Sequence, residues 1–351
     1  MKRSTSAASE KAWSLVSDLQ SFFASSISEG LGLENQFSQR ISWLRDEGVH
    51  GGGNRLMAAA DSECFNRASI NVSQVHYEDD ESRRLNSATA LSTIIHPKHP
   101  LWPSVHMHYS LTEMKSGEKY WRLMADLNPS IPDENDKDTF FQALRSVAEE
   151  TFEEGIAQGN RYFHIPSLHR HRGVAHFYLE QYFSDSFDQD VNFTQNFAKH
   201  MMNVYGRTIL ERHRKSDKPI TDRERAAQIA YHTTYFLQVL TLDRGTTSGL
   251  MVHNQNDVGT LGSLPSHIDV ELLRSWVPRL PSIQRPLLER LILDCSKTNE
   301  GIAFISDDLK ASLANTIRQF YREFPAALDI QARGNIIPTV TANHKPEAKI
   351  S

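Results

Sequence analysis

Cysteine is scarce in this chain of 351 residues, which holds two, Cys64 and Cys295, far apart in sequence. Such usage excludes a disulfide framework and a zinc site built from cysteine pairs, and it fits a reducing compartment. Long hydrophobic runs are also missing. No window approaches the ~18 consecutive apolar residues of a membrane span, and the first residues lack the apolar stretch of a signal peptide. We therefore expect a cytoplasmic protein without a membrane span.

A strong charge of one sign and the common cofactor motifs are missing as well. The formal net charge of −5 gives no general attraction for nucleic acid or an anionic membrane, so neither is expected as a partner. The sequence contains no Gly-x-Gly-x-x-Gly, no Walker loop and no Gly-x-Ser-x-Gly elbow. Nicotinamide, flavin, nucleotide and serine-hydrolase chemistry are thus unsupported, and we expect no organic cofactor.

What the sequence does contain is the composition of a globular enzyme, with 39% hydrophobic and 23% charged residues and no internal repeat. Hydrophobic periodicity separates helical from strand-like segments. The helical segments are 12–28, 136–158, 190–213, 222–237, 268–276, 282–294 and 307–324, and the strand-like ones are 64–76, 90–96, 104–111, 119–126, 160–179 and 236–242. This mixture predicts one α+β domain over residues 11–333, between a flexible N-terminus (1–10) and a polar C-terminal tail (334–351).

Five sets of residues together resemble a known family. They are Gly51-Gly52-Gly53-Asn54-Arg55 with the strand Phe65–His76, Ser92–Pro97 leading to Pro103–His108, Ala125-Asp126-Leu127-Asn128-Pro129, Arg172-Gly173-Val174, and Leu242-Asp243-Arg244-Gly245-Thr246. The glycine run by itself is typical of a tight loop or of close backbone approach to a ligand. In order and spacing, from about residue 38 to residue 290, the five sets resemble the oxygen-dependent coproporphyrinogen III oxidases.

The resemblance implies a large antiparallel sheet flanked by α-helices on both sides, a homodimer, and a cleft for a tetrapyrrole. It also implies chemistry in which O2, as co-substrate, oxidises an electron-rich pyrrole while a propionate leaves as carbon dioxide. Asp126 would hold or deprotonate the pyrrole N–H, and His106 would donate or accept a proton, as a carboxylate and an imidazole can. Ser92, Arg55 and Arg244 would bind substrate. The alternative for Asp126 is a turn residue that caps its own backbone before Pro129.

Departures from the family pattern concern the groups that would meet substrate carboxylates. His108 and Ser110 stand where the family has Asn-x-Arg, and His253-Asn254-Gln255 stands where it has Gly-Gly-Arg. Arg122-Leu123-Met124 replaces a glycine run and narrows the space. Losing two arginines removes bidentate carboxylate partners, although Arg122 could replace one. These residues predict a smaller, less acidic substrate, contacted by His108, Ser110, His253, Asn254 and Gln255.

Histidines are added near the same positions. His106 and His108 alternate on a strand and so point to the same face, and His176 is expected on a neighbouring cleft-facing strand. With Asp126, and with His96 as a further candidate, they form a possible set of ligands for a divalent metal such as iron, copper, cobalt or zinc. The alternative is that His108 and His176 are polar pocket residues that contact substrate.

The function predicted first is therefore a diverged paralogue: an oxygen-dependent oxidase, or oxidative decarboxylase, of a small electron-rich heterocycle in specialised metabolism. A second hypothesis is an authentic coproporphyrinogen III oxidase of haem synthesis. A third is a tetrapyrrole-binding protein without catalysis. Retention of Asp126, His106 and Ser92 argues against the third hypothesis, because a binding module has no evident need for that set.

Overall fold

Seven strands of the chain form one antiparallel sheet in the computed structural model, which describes residues 1–32, 36–59, 62–216, 219–299, 301–335 and 344. The strands are β1 (Gln39–Leu44), β2 (Gly51–Met57), β3 (Phe65–His76), β4 (Leu85–Pro97), β5 (Ser104–Met114), β6 (Lys119–Asn128), β7 (His164–Ile165), β8 (Arg170–His171), β9 (Ala175–Tyr182), β10 (His267–Asp269) and β11 (Ile302–Phe304). The sheet order is β1-β2-β3-β4-β5-β6-β9, while β7–β8 and β10–β11 form two small pairs.

Helices cover the sheet on both faces. They are α1 (Ala7–Leu31), α2 (Glu134–Ala148), α3 (Phe152–Phe163), α4 (Phe187–Arg214), α5 (Asp222–Thr241), α6 (Arg244–Val252), α7 (Asp257–Thr260), α8 (Val270–Ser275), α9 (Arg285–Ser296) and α10 (Asp307–Glu323). The predicted α+β domain with a helix-flanked antiparallel sheet is confirmed. Most of the predicted tail, 334–351, lies outside the described residues.

The two faces of the sheet differ because side chains alternate along each strand. Apolar residues such as Leu91, Met107 and Leu123 share one core with Phe23 of α1 and Met201 of α4. Burying a side chain of this size contributes roughly 1.5–3 kcal/mol. The opposite face carries many polar residues and faces α5, α6 and α7, of which α5 and α6 contribute to a second core. The first face thus packs against helices in the core, and the polar second face is the one that can form a binding site.

Of the two alternatives for the glycine run, a tight loop or close backbone approach to a ligand, the loop is not found, because the run forms the start of β2. Gly51 and Gly52 have φ values of 98° and 147°, a region that favours glycine. A Cβ on Gly53 would lie 2.3 Å from the carbonyl oxygen of Val72 and 3.0 Å from the Trp43 ring. The glycines therefore permit close approach of neighbouring strands and a neighbouring ring.

The segment 236–242, predicted to be a strand, lies instead at the end of a helix, because α5 continues to Thr241. Its β-branched and aromatic residues, including Phe236 and Val239, are buried in the second core. Packing of those side chains between helices outweighs their strand propensity. A capping box between Thr221 and Glu224 fixes where the helix begins.

The N-terminal residues, predicted to be flexible over 1–10, make specific contacts. Helix α1 begins at Ala7, and Ser4 before it is buried. The backbone N–H of Ser4 donates to Oε1 of Gln74 at 2.8 Å, and its hydroxyl donates to Glu78. These bonds attach the N-terminus to β3 and to the turn that follows it. Among the described residues, no helix is long and apolar enough to cross a membrane.

Candidate active site

A cavity of about 260 Å³ lies between the polar face of the sheet and the segment from α5 to α7. The strand residues on its wall belong to adjacent rows of cross-strand partners. One row joins Asn71, Ser92, His108, Met124 and Tyr178 across five strands. Directly opposed residues in neighbouring strands project to the same face. Strand alternation and register alone therefore bring these distant residues to one wall, and Ser92, His106 and His108 line it as predicted from their positions.

Asp243 supplies a carboxylate on the opposite wall. It precedes α6, and its Oδ1 accepts the backbone N–H of Thr246 at 2.6 Å as an N-cap. Its Oδ2 accepts the hydroxyl of Tyr162 at 2.8 Å. Burial acts to raise the pKa of Asp243, but these hydrogen bonds outweigh it and hold the pKa below its ordinary value. The cavity therefore contains an ionised carboxylate near neutral pH.

His106 lines this cavity, and a contact with Arg172 fixes its tautomer. Nη2 of Arg172 lies 3.2 Å from Nδ1 of His106. Because a guanidinium can only donate, Nδ1 must accept, and in the neutral ring Nε2 carries the proton. Burial, and then the charge of Arg172, lower the pKa of His106 to about 4. The side chain is thus a neutral N–H donor at physiological pH.

Asp126, the cross-strand partner of His106, projects to the same face of the sheet but is fully buried and does not line the cavity. Its Oδ2 accepts from Nη2 of Arg172 at 2.5 Å and from Nδ2 of Asn128 at 2.8 Å, and its Oδ1 accepts from Nδ1 of His176 at 2.8 Å. Burial acts to raise the pKa of Asp126, but the charge of Arg172 and the bond from His176 lower it below the ordinary value. In this geometry Asp126 positions Arg172, which positions His106. Its predicted contact with substrate remains a prediction.

Some of the remaining predicted binding residues line the cavity, and the others do not. His253 and Arg244 line the cavity; Nε2 of His253 is 3.0 Å from Nη2 of Arg45, and Arg244 pairs with Glu180 at 3.0 Å. Ser110 is buried beside His108, whose Nε2 is 2.9 Å from the Ser110 hydroxyl.

Three further predicted residues, like Ser110, do not line the cavity. Arg55, the cross-strand partner of Asn71, is buried without lining the cavity and donates to Asn256, which does line it. Asn254 and Gln255 are exposed, and Gln255 donates to Asp46. Besides His253, the residue of this loop that lines the cavity is thus Asn256, one position beyond the predicted set.

The histidines predicted as metal ligands are separated by their partners. His176 is bonded to Asp126 and does not line the cavity, and His96 is buried between the Ser104 hydroxyl and the Ser263 carbonyl. Among the described residues, no three His, Cys, Asp or Glu side chains are grouped so that they could hold a metal ion. The predicted metal site at His106, His108, His176 and His96 therefore finds no support.

Three arginines on the cavity wall give it a positive character. Arg45 lies next to Trp43, with its guanidinium carbon 5.6 Å from the centre of the Trp43 ring. Trp43 and Arg122 occupy the same row of the sheet, five strands apart. At about 4.8 Å per strand, their backbones are separated by roughly 24 Å. Arg244 lies at the Arg122 end, through its pair with Glu180 of β9. The cavity is thus bounded by cations at two ends.

Several of these wall residues were not identified from the sequence as functional. They include Trp43, Arg45, Asn71, Tyr162 and Asn256. Asp243 did stand inside the Asp-Arg-Gly-Thr segment that carried part of the resemblance, so a signal for it existed. Arg172 likewise lay in a matched segment. Trp43 and Arg45 gave no comparable signal, because only the sheet order brings β1 to the cavity edge.

Fold and site define an enzyme of the α+β class with a cavity between an antiparallel sheet and helices that is lined by a carboxylate and an imidazole. A family model for coproporphyrinogen III oxidase matches residues 13–278. The chain belongs to the coproporphyrinogen III oxidase family, and it is an oxidoreductase that uses O2 as acceptor.

Curated relatives agree with this assignment. The oxygen-dependent coproporphyrinogen-III oxidase of Rickettsia bellii (strain OSU 85-389) is 28% identical over 244 residues, covering 65% of this chain and 84% of the relative. The Rickettsia akari (strain Hartford) protein of the same name gives the same identity and coverage. That of Rickettsia typhi (strain ATCC VR-144 / Wilmington) is 28% identical over 248 residues, covering 67% and 85%.

Proposed function

We propose that this chain converts coproporphyrinogen III by oxygen-dependent oxidative decarboxylation. The observation that carries the proposal is the placement of Arg45 at one end of the cavity and of Arg122 and Arg244 at the other. The sequence favoured a less acidic substrate because two family arginines were missing. The arginines of the cavity wall offset that loss, since they supply cations for propionates at both ends.

The middle of the cavity suits an electron-rich pyrrole. Asp243 is an ionised acceptor that can take the hydrogen bond, or the proton, of a pyrrole N–H. His106 presents Nε2–H as a donor from the sheet. A carboxylate that withdraws the N–H proton raises the electron density of the ring, which makes loss of a hydride equivalent from the adjacent side-chain carbon easier.

The reaction balances without any further co-reactant. In each propionate that reacts, the C–C bond to the carboxylate breaks, carbon dioxide leaves, and the released electron pair forms the vinyl double bond. A hydride equivalent from the carbon next to the ring and one proton pass to O2, giving hydrogen peroxide. Donation from Nε2 of His106 would assist delivery of that proton.

The test is to incubate purified protein with coproporphyrinogen III in air and to quantify carbon dioxide, hydrogen peroxide and the vinyl product. Equal amounts of carbon dioxide and peroxide, at ~1 per second, would be typical of a working enzyme. Product formation no faster than in a control without protein would reject the proposal, and the same mixture under argon should give no product.

A second candidate is a smaller pyrrole-type heterocycle that also carries an acid group, as in the diverged paralogue predicted from the sequence. The cavity volume of about 260 Å³ favours it, because pockets for drug-sized ligands typically measure 300–1,000 Å³. Met124 on the wall adds to the narrowing. Oxygen uptake with mono- and dipyrrole carboxylic acids but none with coproporphyrinogen III would select this candidate.

A further inference from the structure

Asn256 stands at the start of α7 and does not cap it. Asparagine at this position usually accepts a backbone N–H from the first turn of its helix. Here the side chain makes no such bond, and its Oδ1 accepts instead from Nη2 of Arg55 at 3.2 Å. The amide is thus held by a residue of β2 that does not itself line the cavity.

This bond fixes which end of the amide faces the cavity. Arginine has only donors, so the atom turned toward Arg55 must be Oδ1 and the other terminal atom must be Nδ2. Asn256 lines the cavity, and among the described residues none accepts a hydrogen bond from its Nδ2. Two N–H donors are therefore available to a bound molecule at this point.

Gly259 makes room for the arrangement. A Cβ at this residue would lie 1.8 Å from Nη2 of Arg55 and 2.1 Å from Oδ1 of Asn256. Arg55 itself is only 3% exposed and does not reach the cavity surface. It can therefore influence a bound molecule only through Asn256, which makes it a positioning residue and not a direct contact.

We propose that Asn256 is a specificity-determining residue whose Nδ2 donates to a carboxylate oxygen of the substrate, with Arg55 as its positioning residue. The inference rests on the proposed function, because that substrate supplies the carboxylate. Arg45, which lines the same cavity and is bonded to His253 three residues earlier in the loop, adds a positive charge that favours an anionic group.

Binding of coproporphyrin III, the fluorescent oxidised form of the proposed substrate, tests this without turnover. Asn256→Asp replaces the donor by a negative group that Arg55 can still hold, so the Kd should rise at least ~10-fold. Asn196→Asp, at an exposed position of α4, makes the same change of charge and should leave the Kd within about threefold.

The role of Arg55 is tested by a double-mutant cycle. Arg55→Met should raise the Kd about as much as Asn256→Ala, and the double variant should be no weaker than either, because both remove the same oriented donor. Arg55→Gln, whose amide can still donate to Oδ1, should restore part of the binding. Circular dichroism and the unfolding midpoint establish that each variant is folded.

The outcomes separate two failures. If the wild-type protein does not bind coproporphyrin III, the proposed function fails and takes this inference with it. If the wild type binds and Asn256→Asp stays within twofold of it, or if the Arg55 and Asn256 effects are fully additive, the proposed function stands and this inference is rejected.

Discussion

Asp126 and Arg172 form an ion pair that is almost completely shielded from solvent, with 2.5 Å between Oδ2 and Nη2. Neither residue of the pair lines the cavity, but Nη2 of Arg172 also lies 3.2 Å from Nδ1 of His106, which does line it. Removing one partner of such a pair leaves an uncompensated buried charge, which typically costs ~3–5 kcal/mol. We therefore expect Asp126→Asn to lower the free energy of unfolding by a few kcal/mol in urea titrations. Asp188→Asn, at an exposed pair with Lys11, should change it by less than ~1 kcal/mol.

Asp243 should affect catalysis much more than stability. Asp243→Asn keeps an acceptor for the Thr246 N–H but removes the negative charge that faces the cavity. Loss of a positioned base typically costs ~10²–10⁴-fold in rate, so kcat should fall by that factor with KM changed little. Steady-state kinetics beside Asp188→Asn would check this. A kcat within threefold of the wild type would show that Asp243 does not act on the substrate.

The acid sensitivity of the fold should depend on His108. Burial, and then the charge of Arg122, lower the pKa of this histidine to about 3, below its ordinary value of 6.5. The unfolded chain therefore binds more protons between these values, so the contribution of His108 to stability is complete above pH 6.5 and is lost as the pH falls toward 3.

His108→Gln removes that contribution. Measured from pH 7 to pH 5, its unfolding free energy should fall by roughly 1–2 kcal/mol less than that of the wild type. His213, an exposed residue of α4, provides the matched control, and His213→Gln should follow the wild-type curve. Parallel curves for His108→Gln and the wild type would contradict the expectation.

Arg122 should matter for substrates with acid groups and much less for those without them. Its guanidinium lines the cavity at the β6 end, and charge-assisted hydrogen bonds contribute roughly 1.5–3 kcal/mol each. Arg122→Met should therefore raise KM for a carboxylated substrate by ~10–100-fold. Arg145→Met, which removes an exposed arginine of α2, should leave KM unchanged. An equal effect on an uncharged analogue would mean that Arg122 serves packing alone.

A homodimer remains a prediction carried by family resemblance. Multi-angle light scattering at micromolar concentration should give a mass close to twice the 39.9 kDa of the chain. A monomer mass at every concentration would oppose it, and a mass that rises with concentration would give the dissociation constant.

Much of the sheet could be predicted from the sequence because alternation is a local property. Segments 64–76, 104–111 and 119–126 became β3, β5 and β6 with small changes at their ends. The segment 236–242 was predicted wrongly because the same aromatic and β-branched residues suit a strand and a buried helix. The loop interpretation of the glycine run failed for a related reason. The neighbour that requires glycine at Gly53 is Val72, which is adjacent only in the folded sheet.

For the site, the sequence placed His106 and His108 on one face, because two-residue spacing is sufficient for that inference. It could not show that Arg172 and His176 enclose the Asp126 carboxylate, or that Arg45 and Arg122 line one cavity. Those facts depend on register over several strands and on which helices cover the face. The single-residue offset from Asn254–Gln255 to Asn256 shows how a loop without periodicity limits such predictions.

The order of strands also bears on how the chain folds. Strands β1 to β6 pair with their sequence neighbours, whereas β9 joins β6 only after residues 129–174 have been passed. Closing a longer loop costs more entropy, so we expect the six-stranded meander to gain protection first and β9 later. Because Arg172 and His176 join the sheet with β9, early folding species would lack the Arg172 contact that fixes the tautomer of His106. Pulse-labelling hydrogen exchange during refolding would show this as late protection of the β9 amides relative to those of β4.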